Sequence, residues 1–462
     1  MRTVTTPIIP THQTFAKVKA PHELHLEAIC VFVAIGFFLD QDTYWKDKVV
    51  LAPASYHDID DQGFLICSKP WFRWHSTPSI SDFTEALEAY SDLFEDIIAK
   101  QSKGKQVILP LSGGLDSRTQ AVALHRLKRE VFSYSYEFQQ GYPETKIARK
   151  IAEVCDFEFE GYTIPKGYLW SVLDRLFELN GGYSDFTSPR QMAVVDYLEG
   201  KGEVFSLGHW GDVLFDSMQL PSLSEGEQVE VLMSKLLKRG GPELAQSLWQ
   251  HWGLSGEFMD YFRSRISALL SKINIENTNA KLRTFKSLYW APRWTTVNLS
   301  VFGSLAPITL PFYDDAMCQF ICSLPENMLS NRKLQIAYIK HKMPELAKIS
   351  WQNHRPFHLY NYNLNRVPYN LPYRGLKKIQ RIMTTLTGKP YVQRNWELQF
   401  LGDANRVHLL KHINGDRFFE FIPKDIVLAY CDTFYKNKAL EHAHPINMLL
   451  VLSQFYKYQI HG

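Results

Sequence analysis

The stretch "VILPLSGGLDSR", residues 107–118, runs five apolar or strand-like residues into two glycines, an acid and two serines. A phosphate group needs several N–H donors converging from one side with no side chains in the way. Glycines let backbone approach closely, and a helix start adds unpaired N–H groups and partial positive charge. Ser112, Gly113, Gly114 and Ser117 fit that task, the hydroxyls adding donors. Asp116 sits badly beside phosphates unless a cation mediates, and a carboxylate plus phosphate oxygens is the usual environment of Mg2+. No lysine follows the glycines, so this is not the Walker pattern. The competing reading is a plain strand-to-helix turn in which Asp116 or Ser117 caps the helix.

The elements around the loop suit a nucleotide-binding sheet. From residue 107 the chain alternates strand-like and helix-like pieces: "VILPL" then "RTQAVALHRLKR", "VFSYSYEF" (131–138) then "ETKIARKIAEVC" (144–155), "FEFEGYTI" (157–164) then "GYLWSVLDRLFEL" (167–179). A helical "SPRQMAVVDYLE" (188–199) and a strand "EVFSL" (203–207) follow. This rhythm predicts an α/β fold, a parallel sheet with helices on both faces. Ligands bind such sheets at the carboxyl ends of the strands, where 112–117 lies.

Upstream, residues 1–80 read as short strands and hairpins in a small β-rich domain, and 28–38 ("AICVFVAIGFF") as a buried strand or helix too short to span a membrane. Phe83, Leu87, Tyr90, Phe94 and Ile97 recur at helical spacing, with Ser81 and Glu85 as a candidate start. Residues 81–462 form the second expected domain, with a nucleotide-binding core at 107–220 and a mostly helical part at 221–462. Within the latter, 357–373 reads as a long loop or lid, and 374–394 ("RGLKKIQRIMTTLTGKPYVQR") as a basic segment.

The totals narrow the class. The chain has 462 residues, 45% hydrophobic and 21% charged, as in a globular enzyme. Its 51 basic against 48 acidic side chains give a net charge of +3, too mild by itself to point to nucleic acid or an acidic membrane surface. Six scattered cysteines form no CxxC pair, which argues against zinc and for a reduced, cytoplasmic protein. Cys318 and Cys322 are spaced for one buried helix face. The amino terminus lacks a secretory signal pattern.

SGGLDS resembles the pyrophosphate-binding loop of enzymes that cleave ATP between the α and β phosphates. Segments farther on resemble, in order, the synthetase domain of glutamine-dependent asparagine synthetases: "SLGHWGDVLFD" (206–216), "LPFYDDAMCQFICSLPENML" (310–329) and "RKLQIAYIKHKMPELAKISWQNHRPF" (332–357). "GFFLDQDTYWKDKVVLAPAS" resembles the end of that family's amino-terminal glutaminase domain. The resemblance implies an adenine nucleotide α-hydrolase-like fold and an ATP-dependent ligase using ATP and Mg2+. A small-molecule or peptide carboxylate becomes an acyl-adenylate, then meets ammonia or a substrate amine. It places ATP and pyrophosphate contacts at Ser112, Gly113, Gly114, Leu115, Asp116, Ser117, Phe138, Leu207 and Gly208, and the metal at Asp116 and Asp212, the competing role of Asp212 being a helix cap after Gly211.

Three departures from the family pattern matter. Residue 2 is Arg2 where glutamine-using members carry a nucleophilic cysteine, so residues 1–80 read as a glutaminase remnant without activity. Ammonia would then come free or from a separate glutaminase or biosynthetic partner. His209 replaces the family's glutamate, and its ordinary pKa of about 6.5 suits a general base for an amine. The competing role is packing beside Trp210. The tail carries His354 and Arg355 where the family has lysine before phenylalanine, leaving Arg355 and Lys340, with Lys333, as oxyanion or phosphate cations, against a plain surface-charge role for each. Alternative readings are a tRNA-modifying adenylating enzyme, or a non-catalytic nucleotide-binding relative. Neither a membrane nor a nucleic-acid partner is expected.

Overall fold

The computed structural model describes residues 1–139, 145–387, 400–437 and 440–460. The amino-terminal segment holds β1 (Arg2–Thr5), β2 (Phe15–Lys17), α1 (Leu26–Ile35), β3 (Lys48–Val50), β4 (Ser55–Ile59) and β5 (Leu65–Pro70). β1, β4 and β5 make one antiparallel sheet, and β2 pairs with β3. Ala16, Leu51 and Ile59 form a small core of their own there. Within the apolar run at 28–38, residues 28–35 are helical and Gly36 ends the helix. Every residue of Ala28–Ile35 is buried, which erases the periodicity that separates helix from strand. α1 packs on the helix Gly241–His251 and belongs to the main core.

α2 (Phe83–Gln101) starts one residue later than its expected cap. Asp82, not Ser81, accepts the Glu85 amide, because the three-residue reach of a cap places Asp82 opposite it.

The alternating region gives β6 (Val107–Pro110), α3 (Asp116–Arg126), β7 (Val131–Phe138), α4 (Thr145–Cys155), β8 (Glu158–Ile164), α5 (Tyr168–Asn180) and β9 (Val204–Ser206), with β10 (Ile308–Thr309) added much later. Glu144, placed at the start of α4 by the sequence, lies outside the described residues. The stretch 188–199 departs from expectation. It forms two short 3-10 turns, Arg190–Ala193 and Val195–Leu198, split where Val194 leaves helical geometry at φ −128°.

The sheet order is β10-β9-β6-β7-β8, all parallel. β6 to β7 to β8 step one way, while the return from β8 to β9 goes to the other side of β6. With right-handed crossovers, α3 and α4 therefore share one face and α5 takes the opposite one. The reversal leaves a topological switch point between β6 and β9, the place where open parallel sheets bind ligands.

Beyond residue 220 the chain is mainly helical. Cys318 and Cys322 are both buried on the helix Asp315–Cys322. The expected loop at 357–373 is irregular apart from a turn at Tyr362–Leu364, and a helix, Leu371–Leu386, begins inside it. Residues 388–394 of the basic segment lie outside the described residues. Among the described residues, no helix is long and apolar enough to cross a membrane.

Candidate active site

A cavity of about 530 Å³ opens at the switch point. Pro110 ends β6 on one side of it, and Leu207 and Gly208 leave β9 on the other. Ser112, Asp116, Ser117, His209 and Asp212 also line it. Two loops separated by nearly a hundred residues thus share one chamber because their strands are neighbours.

The 112–117 loop is folded on itself. The Ser112 amide donates to Ser117 Oγ at 3.0 Å, the two hydroxyls lie 2.9 Å apart, and the Gly114 amide reaches Ser112 Oγ at 3.2 Å. No side chain caps α3, whose preceding residue is the buried Leu115. The capping role open to Asp116 and Ser117 is therefore not the one they take.

Asp116 faces the cavity instead. Its Oδ1 accepts from Arg332 Nη2 and from Gln335 Nε2 at 3.0 Å, and Arg332 Nε donates to Gln335 Oε1 at 2.7 Å, closing a ring of three side chains. α3 packs against α2 and the helix Lys333–Lys342, which brings these groups together. Burial raises the Asp116 pKa to about 6; Arg332 opposes that rise, and the like charge of Asp212 adds to it. The Asp212 carboxylate itself has no hydrogen-bond or ion-pair partner among the described residues.

The close approach of the loops depends on glycine. A Cβ on Gly208 would fall 2.9 Å from Asp116 Cβ, and one on Gly211 would fall 2.8 Å from Asp116 Cγ. Between them, Trp210 takes a left-handed backbone, φ 74°, a conformation costly for a bulky residue that is retained where surrounding contacts fix it. Its indole donates to Ser287 Oγ at 3.3 Å.

His209 lines the cavity with its ring edge-on to Phe302 at 6.1 Å. Burial lowers its pKa to about 4, against a raising effect of Asp212. The imidazole is thus neutral at pH 7, though a weaker base than its ordinary value suggests. Its buried Nδ1 has no hydrogen-bond partner among the described residues.

Several of the expected residues stand elsewhere. Gly113 lies behind the loop, trading backbone and side-chain bonds with Gln352: its N–H donates to Gln352 Oε1 at 3.0 Å and its carbonyl accepts from the Gln352 amide at 3.0 Å. Phe138 ends β7 and does not line the cavity. Neither do Arg355 and Lys340; the Lys340 ammonium lies over the Tyr360 ring at 5.1 Å, and Lys333 donates to the Asn327 carbonyl.

Sequence reasoning missed six contributors. Arg332 and Gln335 lie in the 332–357 segment, whose lysines draw attention by charge alone. Lys286, Trp290 and Trp294 line the cavity opposite the loops, at a four-residue spacing that puts them on one helical face. That spacing was readable. The fully buried Arg118 is the sixth, donating to the carbonyls of Leu346, Ile349, Ser350 and Gly113 and so tying the loop to the 344–352 segment. Nothing in its position beside Ser117 signalled that role.

The asparagine synthase family model matches residues 89–341, more than half the chain and both loops of the cavity. The chain belongs to the asparagine synthase family. Membership carries ATP-dependent synthetase chemistry in general, and this family member's fold is the parallel-sheet one expected. It is similar to two solved structures. One is NMN synthetase from Francisella tularensis, at 12% identity over 45% of this chain and 93% of that one, TM-score 0.22. The other is the U34-tRNA thiolase NcsA from Methanococcus maripaludis with its 4Fe-4S cluster, at 14% identity over 48% and 83%, TM-score 0.22. At these values neither likeness bears on what this asparagine synthase family chain does. No curated protein matches the sequence.

The donor set suits Mg2+. Among the described residues, no third His, Cys, Asp or Glu joins Asp116 and Asp212 into a protein-only cage. Two carboxylates, one of them uncommitted, match a hard cation that completes its coordination with phosphate oxygens and water.

Proposed function

We propose that this chain is an AMP-forming carbon–nitrogen ligase that activates a small-molecule or peptide carboxylate as an acyl-adenylate. The observation that carries the reading is the meeting of Asp116 and Asp212 on one cavity at the switch point. A substrate carboxylate oxygen attacks the α phosphorus of ATP, the bond from that phosphorus to the bridging oxygen breaks, and pyrophosphate leaves. An amine or ammonia then attacks the acyl carbon, the bond to AMP breaks, and the nitrogen loses a proton.

Asp116 and Asp212 would hold Mg2+, which when bound neutralises phosphate charge and favours pyrophosphate departure. Ser112, Gly114 and Ser117 supply donors to the pyrophosphate once the loop's internal bonds yield to the ligand. Lys286, half-buried with its pKa lowered by burial, offers a cation to the α phosphate or the oxyanion. Trp290 and Trp294 provide flat apolar walls for the purine or the acyl group. His209, neutral at working pH, accepts the proton of the attacking nitrogen. The buried Cys30, with burial driving its thiol pKa strongly upward, is poorly suited to act as a nucleophile on glutamine.

The test is exchange of labelled pyrophosphate into ATP across a panel of carboxylates. One carboxylate should drive exchange; a panel in which none does, with ATP bound normally, would remove the ligase reading and leave a nucleotide-binding protein. AMP release without pyrophosphate exchange would favour a different adenylating reaction.

A further inference from the structure

The basic segment singled out in the sequence takes no part in the cavity. Its helix, Leu371–Leu386, keeps six large apolar side chains in solvent: Leu371, Leu376, Ile379, Ile382, Met383 and Leu386 are between 50% and 77% exposed. Nine of the fifteen exposed large apolar residues among the described residues fall between 360 and 386, so the surface greasiness of this chain is concentrated in one place. At about 100° per residue, the six helical ones fall within an arc of about 140°. Arg374, Lys377, Lys378 and Arg381 fall within a separate arc of about 100° by the same spacing.

Charge singles out the same region. Residues 346–396 carry nine Lys and Arg and no Asp or Glu, in a chain whose total is only +3. A folded enzyme that leaves such a face uncovered spends solubility on it. We infer that the helix Leu371–Leu386 lies on the surface of an anionic lipid bilayer, apolar arc toward the acyl chains and basic arc among the headgroups.

The combination decides the occupant. Nucleic acid would satisfy the arginines and lysines but leave six apolar side chains in water. A second copy would set two acid-free basic segments against each other. A lipid surface of negative charge satisfies both arcs at once, which is the pattern of interfacial helices. The helix does not cross the membrane; with 16 residues it is too short to do so. The inference stands apart from the ligase reading, since the cavity and this helix share no lining residue.

Flotation of the full chain with phosphatidylcholine vesicles, with and without phosphatidylglycerol, tests it. Binding should require phosphatidylglycerol and weaken as salt rises. Each basic residue near an anionic surface strengthens binding about fivefold, so joint Arg374→Gln, Lys377→Gln, Lys378→Gln and Arg381→Gln should lose at least about a hundredfold. Joint Leu376→Ser, Ile379→Ser and Met383→Ser should lose at least about tenfold through the apolar arc. Six of the seven side chains are exposed and Lys377 is only partly buried, against Gln380 and Tyr373 of its own helix, so circular dichroism and the melting temperature should change little. No flotation, equal flotation on neutral vesicles, or full binding by either variant overturns the inference. Capture of an acidic protein by this helix with no vesicle binding does so too. Should either variant misfold, the wild-type salt titration decides, and binding that resists high salt overturns it.

Discussion

Asp116 and Arg332 touch across 216 residues of chain, and the contact opposes the rise in pKa that burial gives the acid proposed to hold the metal. Asp216 prepares the geometry. Its Oδ1 accepts the Asn331 amide at 2.8 Å, and both Asn331 and Arg332 take left-handed backbone, φ 58°, turning the guanidinium back to Asp116.

That contact predicts a pH effect with a definite sign. With Asp116 near 6, proton and cation compete for one carboxylate, so pyrophosphate exchange should fall as pH drops through about 6. Arg332 lowers that pKa, so Arg332→Gln should move the acid limb to higher pH. An unmoved limb would separate it from Asp116.

Gly211→Ala should damage the same group sterically. The new methyl meets the Asp116 carboxylate and comes within 3.0 Å of the Phe312 ring. We expect a loss of about 1–3 kcal/mol in stability by urea unfolding, typical of overpacking, with weakened nucleotide binding by calorimetry. Normal binding at normal stability would show the loops tolerate separation.

Arg118→Met should cost more stability than a surface change. Burial lowers the Arg118 pKa to about 10, so it remains charged at pH 7 while its guanidinium satisfies four carbonyls, two of them in buried and two in part-buried bonds. Leaving these unpaired should cost about 2–4 kcal/mol in denaturant unfolding. A loss below about 0.5 kcal/mol, the range of surface substitutions, would mean water replaces the guanidinium.

His209→Gln should divide the reaction. Pyrophosphate exchange should persist while product formation falls by about a hundredfold or more, the usual contribution of a general base. Because His209 titrates near 4, wild-type product formation should show no histidine limb above about pH 5. Equal loss in both half-reactions would assign His209 to nucleotide binding instead.

Cys30 should resist alkylation in the native protein, and glutamine should yield no glutamate. Mass spectrometry after iodoacetamide, before and after denaturation, reads the first. Rapid native labelling would contradict burial at 0% exposure.

By itself the sequence determined the alternating elements, the parallel sheet and the Ser112–Ser117 loop, because these rest on local signals: apolar period, glycine placement and segment length. It also placed Asp116 and Asp212 beside strand ends. Tertiary structure alone decided that β9 lies next to β6, which puts those ends on one cavity, and that Arg332 rather than a lysine meets Asp116. It likewise decided that Arg118 is a buried anchor, that His209 is neutral, and that α1 is a helix. Each depends on which distant surfaces come together and how much water they exclude, and burial of that kind leaves no period in the chain.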